Sequence, residues 1–177
     1  MTTTRHKRGI TIYRAAEAPN LEATDFMSPP QMSPEARAGL SESTRAGIMD
    51  GGVVKVLARD EDGFSLVHVW FKPNYPLPRH SHDADCMYYV ISGSAVMGNQ
   101  VLRPGDAFFV PADAPYQYDA GPDGVEVLEV RHGTGRFDMK IPDASAERWR
   151  AMADAVEANR ERWAGEPVSP TFAANAG

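Results

Sequence analysis

One cysteine, Cys86, is the only thiol in these 177 residues, so no disulfide can form within the chain. That usage suits a reducing compartment. Long apolar runs are missing too: nothing approaches the roughly 18 residues of a membrane-spanning helix. Positive charge is scarce, with 18 Lys and Arg against 24 Asp and Glu and a net charge of −6. That balance disfavours a nucleic-acid partner or an anionic membrane. The basic start, T-T-T-R-H-K-R-G, has no apolar segment behind it and does not read as a secretory signal. Together these absences predict a cytoplasmic chain. What is present is 42% apolar residues, enough for the core of one domain with extensions.

The most informative stretch is residues 74–93, N-Y-P-L-P-R-H-S-H-D-A-D-C-M-Y-Y-V-I-S-G. A proline-rich turn leads into His80-x-His82, and an apolar run follows. Residues two apart on a strand point to the same face, so His80 and His82 project together. Cys86 and Tyr88 share their parity if no bulge intervenes. Two neutral imidazoles on one face just after a turn can begin a metal site. Two histidines on a solvated strand end would look the same.

A second stretch, residues 101–118, reads V-L-R-P-G-D-A-F-F-V-P-A-D-A-P-Y-Q-Y. Together the two resemble the motifs of the cupin superfamily, G-x5-H-x-H-x3,4-E-x6-G and G-x5-P-x-G-x2-H-x3-N. The first runs here from Asn74 through His80, His82 and Cys86 to Gly93, and the second through Gly105, Pro111, Asp113, Tyr116 and Ala120. The resemblance covers roughly residues 60–132. It implies an all-β fold, an antiparallel jelly-roll (cupin) barrel, to which the flanking residue patterns add an N-terminal extension and a C-terminal amphipathic helix. It also implies a divergent metal site. His80 and His82 match the family's ligands, whereas Cys86 stands in place of its glutamate and Tyr116 in place of its third histidine. Asn74 replaces a glycine, a mild change because Asn tolerates positive φ; Asp113 also stands for a glycine, and Ala120 for an asparagine.

The chain divides into an N-terminal extension at 1–50 (tail, loop and short helix), a barrel at 51–140 and a C-terminal helix and tail at 141–177. Residues 1–9 read as a disordered tail and 9–14 as a short strand. Ser33-Pro34-Glu35 starts a helix that runs to about Ile48, with a serine cap, proline at the first position and an acid near the positive dipole end. Its polarity predicts a surface position. A strand follows Gly52, and Asp60-Glu61-Asp62-Gly63 makes a hairpin turn into a strand at 64–72. Residues 92–98 make the next turn. Strands at 108–110, 116–118 and 125–131 complete the series. From 143 onward Trp149, Met152, Val156 and Trp163 fall at helical spacing, with Asp143 or Ser145 to cap the start and Gly165 to end it. The tryptophan face is expected against the barrel or a second subunit.

The candidate metal ligands are therefore His80, His82, Cys86 and Tyr116, and the candidate catalytic residues are Tyr116 and His68. Cys86 reads either as a thiolate ligand or as a small, buried, inert residue. Tyr116 reads either as a ligand or as a pocket hydrogen-bond donor; a phenol with a reference pKa near 10 needs strong metal assistance to ligate. His68 enters the pocket if Leu66, His68 and Trp70 line the interior, and lies outside if Val67, Val69 and Phe71 do. Asp83 and Asp85 have the wrong parity and read as a solvated turn. Glu129 and Arg131 share a face, as a buried substrate clamp or a surface ion pair. Tyr88, Tyr118 and Phe109 are expected to wall the cavity.

Two functions follow from the resemblance. One is a metal-dependent small-molecule enzyme, of dioxygenase, lyase or isomerase type, with a divalent ion held by His80 and His82. Iron is the first expectation, with zinc, copper, nickel or manganese as alternatives. The other is a non-catalytic cupin that binds a small ligand or serves as a structural dimer. In either, the partners are a small-molecule substrate or ligand and a second copy of the chain as a homodimer, with neither nucleic acid nor membrane.

Overall fold

The computed structural model describes residues 9–60, 63–132, 135–165, 169 and 171. All but Gly9 of the tail predicted at 1–9, the tip of the Asp60–Gly63 turn and most of the C-terminal end lie outside the described residues. Residues 9–14 form no strand: Ile10 and Ile12 are exposed, and the segment joins no ladder. Residues 20–31 instead run along sheet edges through single bridges, Asn20 to Lys55, Met27 to Phe137 and Gln31 to Lys140.

Helix α1 (Pro34–Ala46) begins as its sequence dictates. Ser33 accepts the Ala36 amide at 3.0 Å, Pro34 occupies the first turn, and Gly47 at φ 109° ends the helix in the left-handed conformation. The helix is not simply a surface element. Its face of Ala36, Gly39, Ser43 and Ala46 is buried, and the ring of Trp149 occupies the space above Gly39.

Eight strands follow, β1 (Gly52–Ala58), β2 (Phe64–Phe71), β3 (Ser81–His82), β4 (Cys86–Met97), β5 (Gln100–Leu102), β6 (Ala107–Val110), β7 (Asp119–His132) and β8 (Met139–Lys140). Six form one antiparallel sheet in the order β1-β2-β7-β4-β5, with β6 also on β4; β3 and β8 make a second, two-stranded sheet. The ladder of the large sheet is open at its ends. The turn expected at 92–98 narrows to Gly98 and Asn99, because β4 runs straight through Ser92 and Gly93. It does so with register shifts on either side of Gly93, where φ is 68° and a Cβ would stand 2.1 Å from the Gly124 carbonyl oxygen. Only glycine lets the two backbones meet there. The strand expected at 116–118 reduces to one bridge between Tyr116 and His80.

Period-2 alternation sends Val67, Val69 and Phe71 of β2 into the main hydrophobic core with Tyr88, Val90, Val125 and Val127. Helix α2 (Ala146–Ala164) caps this core. Ser145, not Asp143, accepts the Arg148 amide at 3.3 Å, and Trp149, Ala153, Val156 and Trp163 are buried. Trp163 donates its indole N–H to the Pro73 carbonyl at 2.9 Å and leans on Tyr75, while Lys72 reaches the Trp163 carbonyl at 2.7 Å. Helix α2 is thereby fastened to the sheet. No helix among the described residues is long and apolar enough to cross a membrane.

Candidate functional site

The site grows from the backbone pairing of the two motif stretches. His80 and Tyr116 exchange both amide hydrogen bonds, at 3.0 and 2.8 Å, and His82 lies on β3 opposite Met139 of β8. The His80 and His82 rings are 4.8 Å apart, and the residues are 4% and 7% exposed. Each ring is fixed by a backbone carbonyl: His80 Nδ1 donates to Pro78 at 2.7 Å and His82 Nδ1 to Asp138 at 3.0 Å. A proton held on Nδ1 leaves the Nε2 lone pair available on both. Burial, together with His82 beside His80 and Arg131 beside His82, lowers both imidazoles to about 4. Both are therefore neutral near pH 7.

Tyr116 packs on this pair, its ring 4.5 Å from that of His80 and 6.3 Å from that of His82. Its hydroxyl hydrogen-bonds that of Tyr88. Burial first, and the Glu129 carboxylate second, push both phenols well above their ordinary range. Cys86 is 2% exposed within the hydrophobic core, and burial pushes its thiol up to about 12. Among the described residues no three histidine, cysteine, aspartate or glutamate side chains gather closely enough to hold a metal ion. Cys86 therefore does not complete a ligand set with the two histidines. The surroundings match its reading as a buried thiol.

His68 is corrected. It sits on the opposite face of the sheet, 3.5 Å from the buried carboxylate of Glu126. That carboxylate also accepts from Ser92 at 2.5 Å and from the Thr171 hydroxyl at 2.6 Å. Because Val69 and Phe71 take the inward positions, His68 has no place in the cavity with His80 and His82. Phe109 is corrected too: it points outward at 54% exposure, and Phe108 stacks on Tyr88 instead, with centroids 4.5 Å apart. Tyr88 and Tyr118, also expected to wall the cavity, are instead buried in the core and do not line it. Asp83 and Asp85 stay exposed and accept the amides of Asp138 and Ala112 at 2.7 and 2.8 Å.

Glu129 and Arg131 form the buried pair, with Nη2 donating to Glu129 at 2.7 Å and Arg131 only 1% exposed. The guanidinium lies 4.2 Å from the centre of the Phe137 ring, which meets His82 edge-on at 4.9 Å. His80, His82, Glu129 and Arg131 all line one cavity of about 220 Å³, together with Glu22 and a mostly apolar wall that includes Val54, Phe71, Leu77 and Ile141. The arrangement offers two neutral imidazoles, a charged pair and a phenol pair beside an apolar chamber. Phe137 and the Asp138 carbonyl carry no sequence signal, since they arrive from a loop more than fifty residues downstream.

No family model matches the sequence, and no curated protein sequence is similar to it. Solved structures do resemble its fold. The polyketide cyclase RemF from Streptomyces resistomycificus is 17% identical, with 85% of this chain and 97% of its own covered and a TM-score of 0.52. KdgF from Halomonas sp. is 25% identical over 47% of this chain and 81% of its own, with a TM-score of 0.43. An RmlC-like cupin from Shewanella frigidimarina NCIMB 400 is 25% identical over 48% of this chain and 78% of its own, also at 0.43.

Proposed function

We propose that this chain, whose fold is that of the cupin superfamily, is a metal-dependent small-molecule enzyme with His80 and His82 as the protein ligands of a divalent ion. The observation that carries the reading is the fixing of both imidazoles by Nδ1–H bonds to backbone carbonyls. Metal-binding histidines are oriented in this way, with the other ring nitrogen free for the ion. Two ligands leave positions open to water or substrate, and catalytic sites keep at least one such position. A bound ion would supply Lewis acidity to a substrate oxygen. Around it, Tyr116 and Tyr88 hold a proton at their paired hydroxyls, and the apolar wall excludes water. Dioxygenase, lyase and isomerase chemistry all fit this inventory, with iron the first ion to try. In this reading the two sheets are the halves of a jelly roll.

The absence of a third histidine, cysteine or carboxylate from the ligand set, among the described residues, favours a second reading: a cupin that binds a small ligand without a metal. Elemental analysis of untagged protein beside His80→Ala/His82→Ala separates the two. One equivalent of metal, lost in the double variant while its thermal melt stays cooperative, is the expected result. No metal as purified and none taken up on reconstitution overturns the enzyme and leaves the binding protein.

A further inference from the structure

Arg131 is the least satisfied charged group in the cavity. A guanidinium carries five N–H donors in one plane, and here Nη2 serves Glu129. Nε and Nη1 are buried and have no hydrogen-bond partner among the described residues. The Phe137 ring covers a face of the guanidinium, but a ring against that face does not satisfy donors at its edge. Burying an N–H without an acceptor is costly, and native proteins rarely leave one so. The cavity that Arg131 lines is where an acceptor can arrive.

We infer that Arg131 anchors a small monocarboxylate whose hydrocarbon body fills the apolar chamber. The inference rests on the proposed role of this cavity as the substrate site. Three features narrow the ligand. A permanently charged guanidinium makes its strongest hydrogen bonds to anions, and its fork matches a carboxylate. Glu129 beside it and Glu22 on the cavity wall disfavour a dianion such as phosphate, which also has no apolar body to place. The volume, about 220 Å³, lies below the range of drug-sized pockets and suits a compact acid. An ion on His80 and His82 would add positive charge facing the same carboxylate. Arg131 is then the residue that orients the substrate, with the two imidazoles at its reacting end.

The test is calorimetric titration of the full chain with butyrate, hexanoate and benzoate, beside their neutral amides and inorganic phosphate. Metal content is measured on the same samples. At least one carboxylate is expected to bind tenfold or more tightly than its amide and than phosphate. Arg131→Lys, which keeps the charge beside Glu129, is expected to lose that selectivity with metal stoichiometry unchanged. Equal binding of acid and amide, no binding of any acid, tighter binding of phosphate, or an unaltered Arg131→Lys profile overturns the inference. The comparison of acid with amide needs no variant, so a misfolded mutant does not spoil it. Metal content reports separately: carboxylate selectivity in a chain that takes no metal upholds the role of Arg131 while the enzyme reading fails.

Discussion

The hydroxyls of Tyr88 and Tyr116 meet in a hydrogen bond that joins β4 to the segment carrying the second motif. Both side chains lie in or against the main hydrophobic core, so each hydroxyl depends on the other. Removing one partner strands a buried polar group, at about 1–3 kcal/mol, whereas removing both can be nearly neutral. Tyr116→Phe and Tyr88→Phe are each expected to destabilise by that amount, with the double variant much closer to the parent. Urea unfolding of the four proteins gives the coupling. Additive losses would show that the two hydroxyls do not depend on each other.

Gly39 and Trp149 set up a contest between two effects of known size. Alanine is a better helix former than glycine by about 1 kcal/mol. Its Cβ at position 39, however, would lie 2.2 Å from the Trp149 ring, and overpacking a filled interface costs about 1–3 kcal/mol. The clash is with the body of a buried ring, so it should win. Gly39→Ala is expected to lower stability by about 1 kcal/mol or more despite its propensity, read by chemical denaturation. A more stable variant would mean that α1 and α2 slide apart freely.

Much of the fold was legible because its signals are local. Ser33 and Pro34 announce α1, and Ser145, Trp149 and Trp163 announce α2. The family motifs were legible even where their residues differ: Asn74 and Asp113 both stand where glycine is usual, and both adopt left-handed backbone, at φ 59° and 61°. Gly93 misled for a related reason. A glycine read as a turn serves instead as a point of close approach inside β4, a distinction that depends on a strand thirty residues away.

The site was legible in part. Spacing alone put His80 and His82 together, and parity paired Glu129 with Arg131. Which face of β2 looks inward could not be read from an alternation in which both faces are apolar, so His68 was left between two environments. The groups that orient the imidazoles are backbone carbonyls, at Pro78 and Asp138, and every residue type carries one.

Glu126, the partner of His68 on that outer face, makes stability depend on acid. Burial alone would raise its carboxyl, but hydrogen bonds from His68, Ser92, Thr171 and Ser169 outweigh it and hold the group well below its ordinary range. A carboxyl depressed in the folded state binds its proton first in the unfolded chain. Its contribution is therefore complete above the unfolded value, about 4.3, and is lost as pH falls further. Glu126→Gln removes the titration while keeping most of the shape. The stability gap between parent and variant, from urea midpoints, is expected to stay level from pH 7 to about pH 5 and to narrow steadily below about 4.3. A gap unchanged down to pH 3.5 would mean that the charge on Glu126 contributes nothing to holding Thr171 against the sheet. The Thr171 amide and hydroxyl sit 3.1 and 2.6 Å from the carboxylate oxygens, so the same acid range is also expected to loosen the hold on Thr171. Faster exchange of the Thr171 amide below about pH 4.3, relative to pH 6 after correction for intrinsic rates, would reveal that loosening.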